Sequence, residues 1–134
     1  MRSMRSVLAG ALMGLLVCMP AAGAASWVPV GADAEASYEL DTEATWYNPA
    51  REEGGALLRV TLYEPHYGVR AYITPVRLFY HLEPWTMLQF DAKLLNDDGL
   101  LLATYPKVRA VTAEDGSPER VIMESIRQQP LGKL

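Results

Sequence analysis

Apolar and polar residues alternate along much of this chain. In residues 57–63, Leu58, Val60 and Leu62 fall on one side of an extended backbone, and Arg59, Thr61 and Tyr63 on the other. Residues 69–80 are rich in β-branched and aromatic side chains, with Pro75 inside the run. Proline cannot donate to a ladder, so Pro75 marks an edge, a bulge or the gap between two strands. Residues 86–95 alternate most cleanly, with Leu88, Phe90, Ala92 and Leu94 on one side and Gln89, Asp91 and Lys93 on the other. The pattern predicts one strand there, with Leu88 and Phe90 pointing inward. Asn96-Asp97-Asp98-Gly99 has turn composition, because Asn, Asp and Gly tolerate positive φ. Residues 100–105 then return as the partner strand of a hairpin.

The period changes near the end of the chain. Ser117 is an N-cap type, Pro118 suits the first helical position, and Glu119 is favourable in the first turn. Val121, Ile122, Ser125 and Ile126 form a stripe at helical spacing, Arg127 falls in the last turn, and Pro130 lies beyond it. A short helix over Pro118–Gln128, packed on the sheet, is expected. Gly and Pro punctuate the rest at short intervals, as in a domain of many short strands. No internal repeat or low-complexity linker divides the chain. The predicted class is α+β, a mainly antiparallel β-sheet with one short C-terminal helix.

The first residues follow a different pattern. Arg2 and Arg5 precede an uncharged apolar run over residues 7–19, then Pro20 and a series of small residues. This is the order of a secretory signal peptide, and the apolar run is short for a membrane-spanning helix. Ala22-Gly23-Ala24 fits a small-x-small cleavage site, as does Gly23-Ala24-Ala25. The expected organisation is a signal peptide over residues 1–24 and one small exported domain over residues 25–134. The product is then periplasmic or secreted. A lipoprotein would need Cys18 as its new N-terminus, but Val17 before it is larger than the usual Gly, Ala or Ser. The alternative reading of Cys18 is a lipid anchor.

Charge and cysteine content narrow the class. The whole chain of 134 residues carries 12 Lys and Arg against 16 Asp and Glu, net −4. Removal of Arg2 and Arg5 leaves 10 against 16, net −6. A nucleic-acid-binding domain would carry a basic face, so no nucleic-acid partner is expected. Cys18 is the one cysteine and leaves with the signal, which excludes an intramolecular disulfide and a cysteine zinc site.

The layout resembles the surface-adhesin protein E family of bacterial exported proteins. Trp27-Val28-Pro29-Val30 follows the signal, and Tyr38 and Asp41 stand near the family's Y-x-D with one extra residue between them. Residues 58–63 resemble its apolar strand, and Val76-Arg77-Leu78-Phe79-Tyr80 its V-K-x-x-Y stretch. Gly116-Ser117 before an apolar helix resembles its P-G-S and closing helix. Members usually carry two cysteines, about where Pro84 and Ile126 stand here. The resemblance implies a sheet-and-helix fold and, from the family's named role, binding of host proteins at the bacterial surface.

Candidate chemistry is sparse. His66 and His81, 15 positions apart, have no metal-ligand spacing, and no metal site is expected. The serines at 26, 37, 117 and 125 lack a nucleophile motif, and Ser117 reads as a helix cap. The pairs Glu52-Glu53 and Asp97-Asp98 invite a glycosidase reading, but adjacent carboxylates in turns are usually solvated. No phosphate-cradling loop is present. The chain is read as non-enzymatic, with no catalytic residue and no cofactor. Aromatics supply the remaining clue: Trp46, Tyr47 and Arg51, beside a loop ending at Gly54-Gly55, are the candidate partner-binding residues, and Trp85 is a second such position. The competing reading has Trp27, Trp46 and Trp85 covering the ends of a small core. The expected function is an exported binding module contacting a protein or cell-envelope component. The alternative is an inhibitor of an extracellular or periplasmic hydrolase, of lysozyme- or protease-inhibitor type, with an acidic loop as its plug.

Overall fold

A computed structural model describes residues 26–128, so the expected signal peptide lies outside the described residues. In chain order the elements are β1 (Trp27–Ala32), β2 (Ala36–Asp41), a 3-10 turn (Thr42–Ala44), β3 (Trp46–Asn48), β4 (Glu53–His66), β5 (Val69–Phe79), β6 (Thr86–Gln89), β7 (Ala92–Leu95), β8 (Leu101–Tyr105), β9 (Arg109–Thr112) and α1 (Pro118–Gln128). Every strand pairing is antiparallel. The fold is therefore α+β, a mainly antiparallel sheet with a short C-terminal helix.

The β4–β5 hairpin is the spine. Its two-residue turn, Tyr67-Gly68, has positive φ at both positions, 51° and 81°, the type I′ geometry that matches strand twist. Each spine strand is longer than its outer neighbours, so two short strands share each outer edge. β4 pairs with β2 through Leu58–Leu62 and with β3 through Glu53–Gly55. β5 pairs with β7 through Ala71–Ile73 and with β6 through Val76–Phe79. β8 continues from β7 and β9 from β6, so the sheet forks into two arms.

Pro75 sits at the fork, as the missing donor requires. Its carbonyl accepts from Phe90 N at 3.3 Å. The Phe90 carbonyl, which would have taken the absent Pro75 N–H, lies 2.9 Å from the hydroxyl of fully buried Thr74. The opposing strand breaks there, and Asp91 turns left-handed with φ 49°. Residues 86–95 are thus two strands rather than one, and the break shifts the alternation by one residue. Ala92 and Leu94 keep the expected face. Before the break the phase is reversed: Met87 is fully buried and Gln89 is 8% exposed, while Leu88 and Phe90 are only partly buried.

α1 packs on one face of the sheet. Ile122, Met123 and Ile126 are buried against Leu40, Leu58, Val76, Leu78 and Met87. Burial of each such side chain favours folding by about 1.5–3 kcal/mol. The helix starts at Pro118 as expected and runs to Gln128, the last described residue, but the buried stripe takes Met123 in place of Val121, which is 44% exposed. Ser117 Oγ accepts from Arg120 N at 3.2 Å and caps the helix. The β7–β8 hairpin forms at the expected turn. There Asn96 Oδ1 accepts from Asp98 N at 2.9 Å and Leu100 N at 3.0 Å, and Gly99 has φ 80°.

Candidate functional site

The segment from Trp46 to Gly55 is a tight β3–β4 hairpin rather than a long loop. Trp46 pairs with Gly55, Tyr47 with Gly54 and Asn48 with Glu53. Only residues 49–52 turn, held by Asn48 Oδ1 accepting from Ala50 N at 3.0 Å. Gly54 and Gly55 are buried strand residues, not a flexible pair. A Cβ on Gly55 would lie 2.7 Å from Trp46 Cε2, so this glycine leaves room for the indole to lie across β4.

Strand alternation sends the two candidate aromatics to opposite faces. Tyr47 points to the core side and meets Tyr80 edge-on, ring centres 5.1 Å apart. Trp46 stays on the outer face, away from the core, half-buried over Gly55. Register brings Arg77 of β5 beside it, with the guanidinium 5.8 Å from the Trp46 ring and 5.9 Å from Phe79. Glu53 Oε1 lies 3.5 Å from Arg77 Nη2 and 4.0 Å from Arg51 Nε. Trp46 and Arg51 therefore share a face with Arg77, Glu53 and Phe79, and Tyr47 does not.

A second group of the same composition lies along this face. Arg59 meets Glu39 with Nη2 2.6 Å from Oε1, and its guanidinium lies 4.4 Å from the centre of the Trp27 ring. Glu39 and Arg59 are register partners across β2 and β4. Both groups place a guanidinium between a carboxylate and an indole. Arg77 and Arg59 were not singled out by local sequence, although the alternation of residues 57–63 already turned Arg59 away from the core.

The remaining candidates fall elsewhere. Trp85 packs on the core between loop and helix: Arg120 lies 3.8 Å and Arg127 5.3 Å from its ring centre, and Tyr80 meets it edge-on at 4.9 Å. Burial pushes the Tyr80 phenol above its ordinary value, with Tyr47 adding and Arg127 opposing, and its hydroxyl donates to Met123 O at 2.7 Å. His66 and His81 are exposed beyond opposite ends of β5, an 11-residue strand rising about 3.3 Å per residue. Asp97 pairs with Arg70 at 2.6 Å, while Glu52 and Asp98 face solvent. Among the described residues no group of three His, Cys, Asp or Glu is placed to hold a metal ion.

These features define a small α+β protein with one sheet face covered by a helix and the other left as an aromatic, charged platform. The fold is similar to the solved structure of Haemophilus influenzae protein E, with a TM-score of 0.55 and 14% sequence identity. The match covers 79% of this chain and 92% of that one. At this identity the likeness is one of fold. No family model and no curated protein matches the sequence.

Proposed function

We propose that this protein is an exported, non-enzymatic binding module that engages a protein or cell-envelope partner through the outer face of its sheet. The observation that carries this reading is the Trp46–Arg77–Glu53 group, held on paired strands and open to solvent on one side, with Arg51 beside it in the β3–β4 turn. Trp and Arg are the side chains that most often anchor interfaces. Strand-mounted side chains lose little conformational freedom on binding, which favours a rigid platform over a mobile loop. The net charge of −6 after signal removal favours basic partners at long range. Export is supported by the order of Arg2, Arg5, the apolar run and the small-residue site. Among the described residues no helix is long and apolar enough to cross a membrane. The fold shared with protein E and the resemblance of the 58–63 and 76–80 segments to its family agree with a surface or envelope role.

Site-directed cross-linking tests this reading. The expected mature chain has no cysteine, so Ala50→Cys, exposed in the β3–β4 turn, and Asp98→Cys each provide one label site. A benzophenone on Ala50→Cys should capture a discrete partner from envelope extract or host matrix, and one on Asp98→Cys should not. Capture from Asp98→Cys alone would move the site to the β7–β8 turn. Turnover of a peptidoglycan or peptide substrate by the purified protein would overturn the non-enzymatic reading.

A further inference from the structure

We propose that the fork in the sheet holds a second site, on the helix side of the sheet, for a small apolar carboxylate: a short-chain acid or the C-terminal residue of a peptide. It does not depend on the outer-face reading. Where β5 changes partner, the arms β7–β8 and β6–β9 separate and leave a hollow of about 130 Å³. Drug-sized pockets run to about 300–1,000 Å³, so this one takes a single aliphatic or aromatic group. Phe90, Leu94 and the rings of Tyr72 and Tyr105 supply apolar walls.

Gln89 points to a ligand. Gln89 borders the hollow and is only 8% exposed. Its amide nitrogen reaches only Met87 Sδ, at 3.5 Å, and thioether sulfur is a weak acceptor. Among the described residues its carboxamide oxygen has no hydrogen-bond partner. Buried polar groups are nearly always satisfied, and an amide left so is costly. A bound carboxylate would accept the amide N–H bonds that the sulfur takes poorly, and the carboxamide oxygen would be satisfied only by a donor such as the backbone N–H of a peptide's terminal residue.

Charge gives the second, independent argument. Lys107 and Arg109 also line the hollow, and among the described residues neither has a carboxylate within 4.0 Å. Two unpaired cations beside an apolar recess, on a chain of net negative charge, complement an anion with an apolar body. Burial raises the Tyr72 phenol above its ordinary value, with Arg109 opposing and Glu119 adding, so Tyr72 stays a neutral hydroxyl at physiological pH. Glu119 does not line the hollow.

The test is a titration of the signal-free protein followed by amide NMR, with hexanoate, its neutral analogue hexanamide, and tripeptides ending in leucine as the free acid or the amide. Hexanoate should shift the Gln89 side-chain signals saturably and bind at least about tenfold more tightly than hexanamide, a difference of roughly 1.4 kcal/mol. Arg109→Gln, a surface change, should erase that preference. Gln89→Leu should melt no lower than the parent yet lose hexanoate binding. A free-acid tripeptide that outcompetes hexanoate identifies a chain terminus as the source. Preference for hexanoate identifies a free acid. Equal binding of hexanoate and hexanamide, or no saturable shift at millimolar hexanoate, overturns the proposal.

Discussion

The Arg120 guanidinium lies 3.8 Å from the centre of the Trp85 ring, stacking the helix onto the loop before β6. Arg127, two turns further along α1, approaches the same ring at 5.3 Å, and Trp85 O accepts from Ala113 N at 2.8 Å. The protein E family resemblance places cysteines about where Pro84 and Ile126 stand, in this loop and this helix. Here an indole between two arginines ties the two elements together. Trp85→Ala should cost about 3 kcal/mol in a urea melt, as truncation of a packed aromatic does. Arg120→Gln should cost about 0.5–1 kcal/mol. A Trp85→Ala variant as stable as the parent would show that the ring does not join loop and helix.

Gly55→Ala tests the seat of Trp46. The added methyl would overlap the indole, and overpacking typically costs about 1–3 kcal/mol. The expected result is a lower urea midpoint together with a changed tryptophan emission spectrum. Gly99→Ala is a useful contrast, since a Cβ there meets nothing within 4 Å and only its φ of 80° resists substitution. It should leave the emission spectrum unchanged. An unaltered spectrum in Gly55→Ala would mean that the indole does not lie on β4.

Asp33 couples the β1–β2 turn to pH. Its carboxylate accepts from Glu35 N and Ala36 N, each at 2.9 Å, and from the Tyr38 hydroxyl at 2.9 Å. The Glu35 backbone bond is the largest influence, followed by Tyr38 and then Ala36, and together they hold the Asp33 carboxyl below its ordinary value of 3.8. The stability it adds is complete above the unfolded value and disappears as pH falls through the lower native one. Asp33→Asn keeps an acceptor but removes the titration. Its urea midpoint should therefore lose less than the parent's between pH 5 and pH 2. Parallel acid limbs would show that the turn does not favour the charged form.

Tyr67 is 92% exposed with φ 51°, an unfavourable conformation for an aromatic residue. Asn-Gly is the preferred pair for such a turn. Tyr67→Asn should raise stability by roughly 0.5 kcal/mol or more, measured by thermal melting. A lower melting temperature would mean that the Tyr67 contact with His66, ring centres 4.4 Å apart, outweighs the backbone strain.

What could be read from the sequence was local. The Asn96–Gly99 turn, the Ser117 cap and the Leu58–Val60 alternation each rest on a few adjacent residues, and each holds in the structure. The phase of residues 86–90 does not, because the break at Phe90-Asp91 leaves a period-two pattern looking continuous. Pro75 carried the signal, but on the neighbouring strand. Gly54-Gly55 reads as a turn, yet its reason is Trp46 lying across it. Trp46 and Arg51 stand out as interface types, whereas Arg77 joins them only through the β4–β5 register, and Tyr47 leaves them by strand alternation. Strict alternation puts Gln89 on the polar face, so the hollow beside it leaves no trace in the pattern.

The central claim is that the outer face of the sheet is the binding surface. The Arg51 and Arg77 side chains are 71% and 46% exposed and both approach Glu53, so neutral amides there remove the cations without setting carboxylates against it. The decisive measurement is the affinity of Arg51→Gln/Arg77→Gln for the partner captured through Ala50→Cys, after melting shows the variant folded. Loss of interface anchors costs about 2 kcal/mol or more, so binding should weaken at least about 25-fold. Parent-like affinity in the folded double variant would contradict the account.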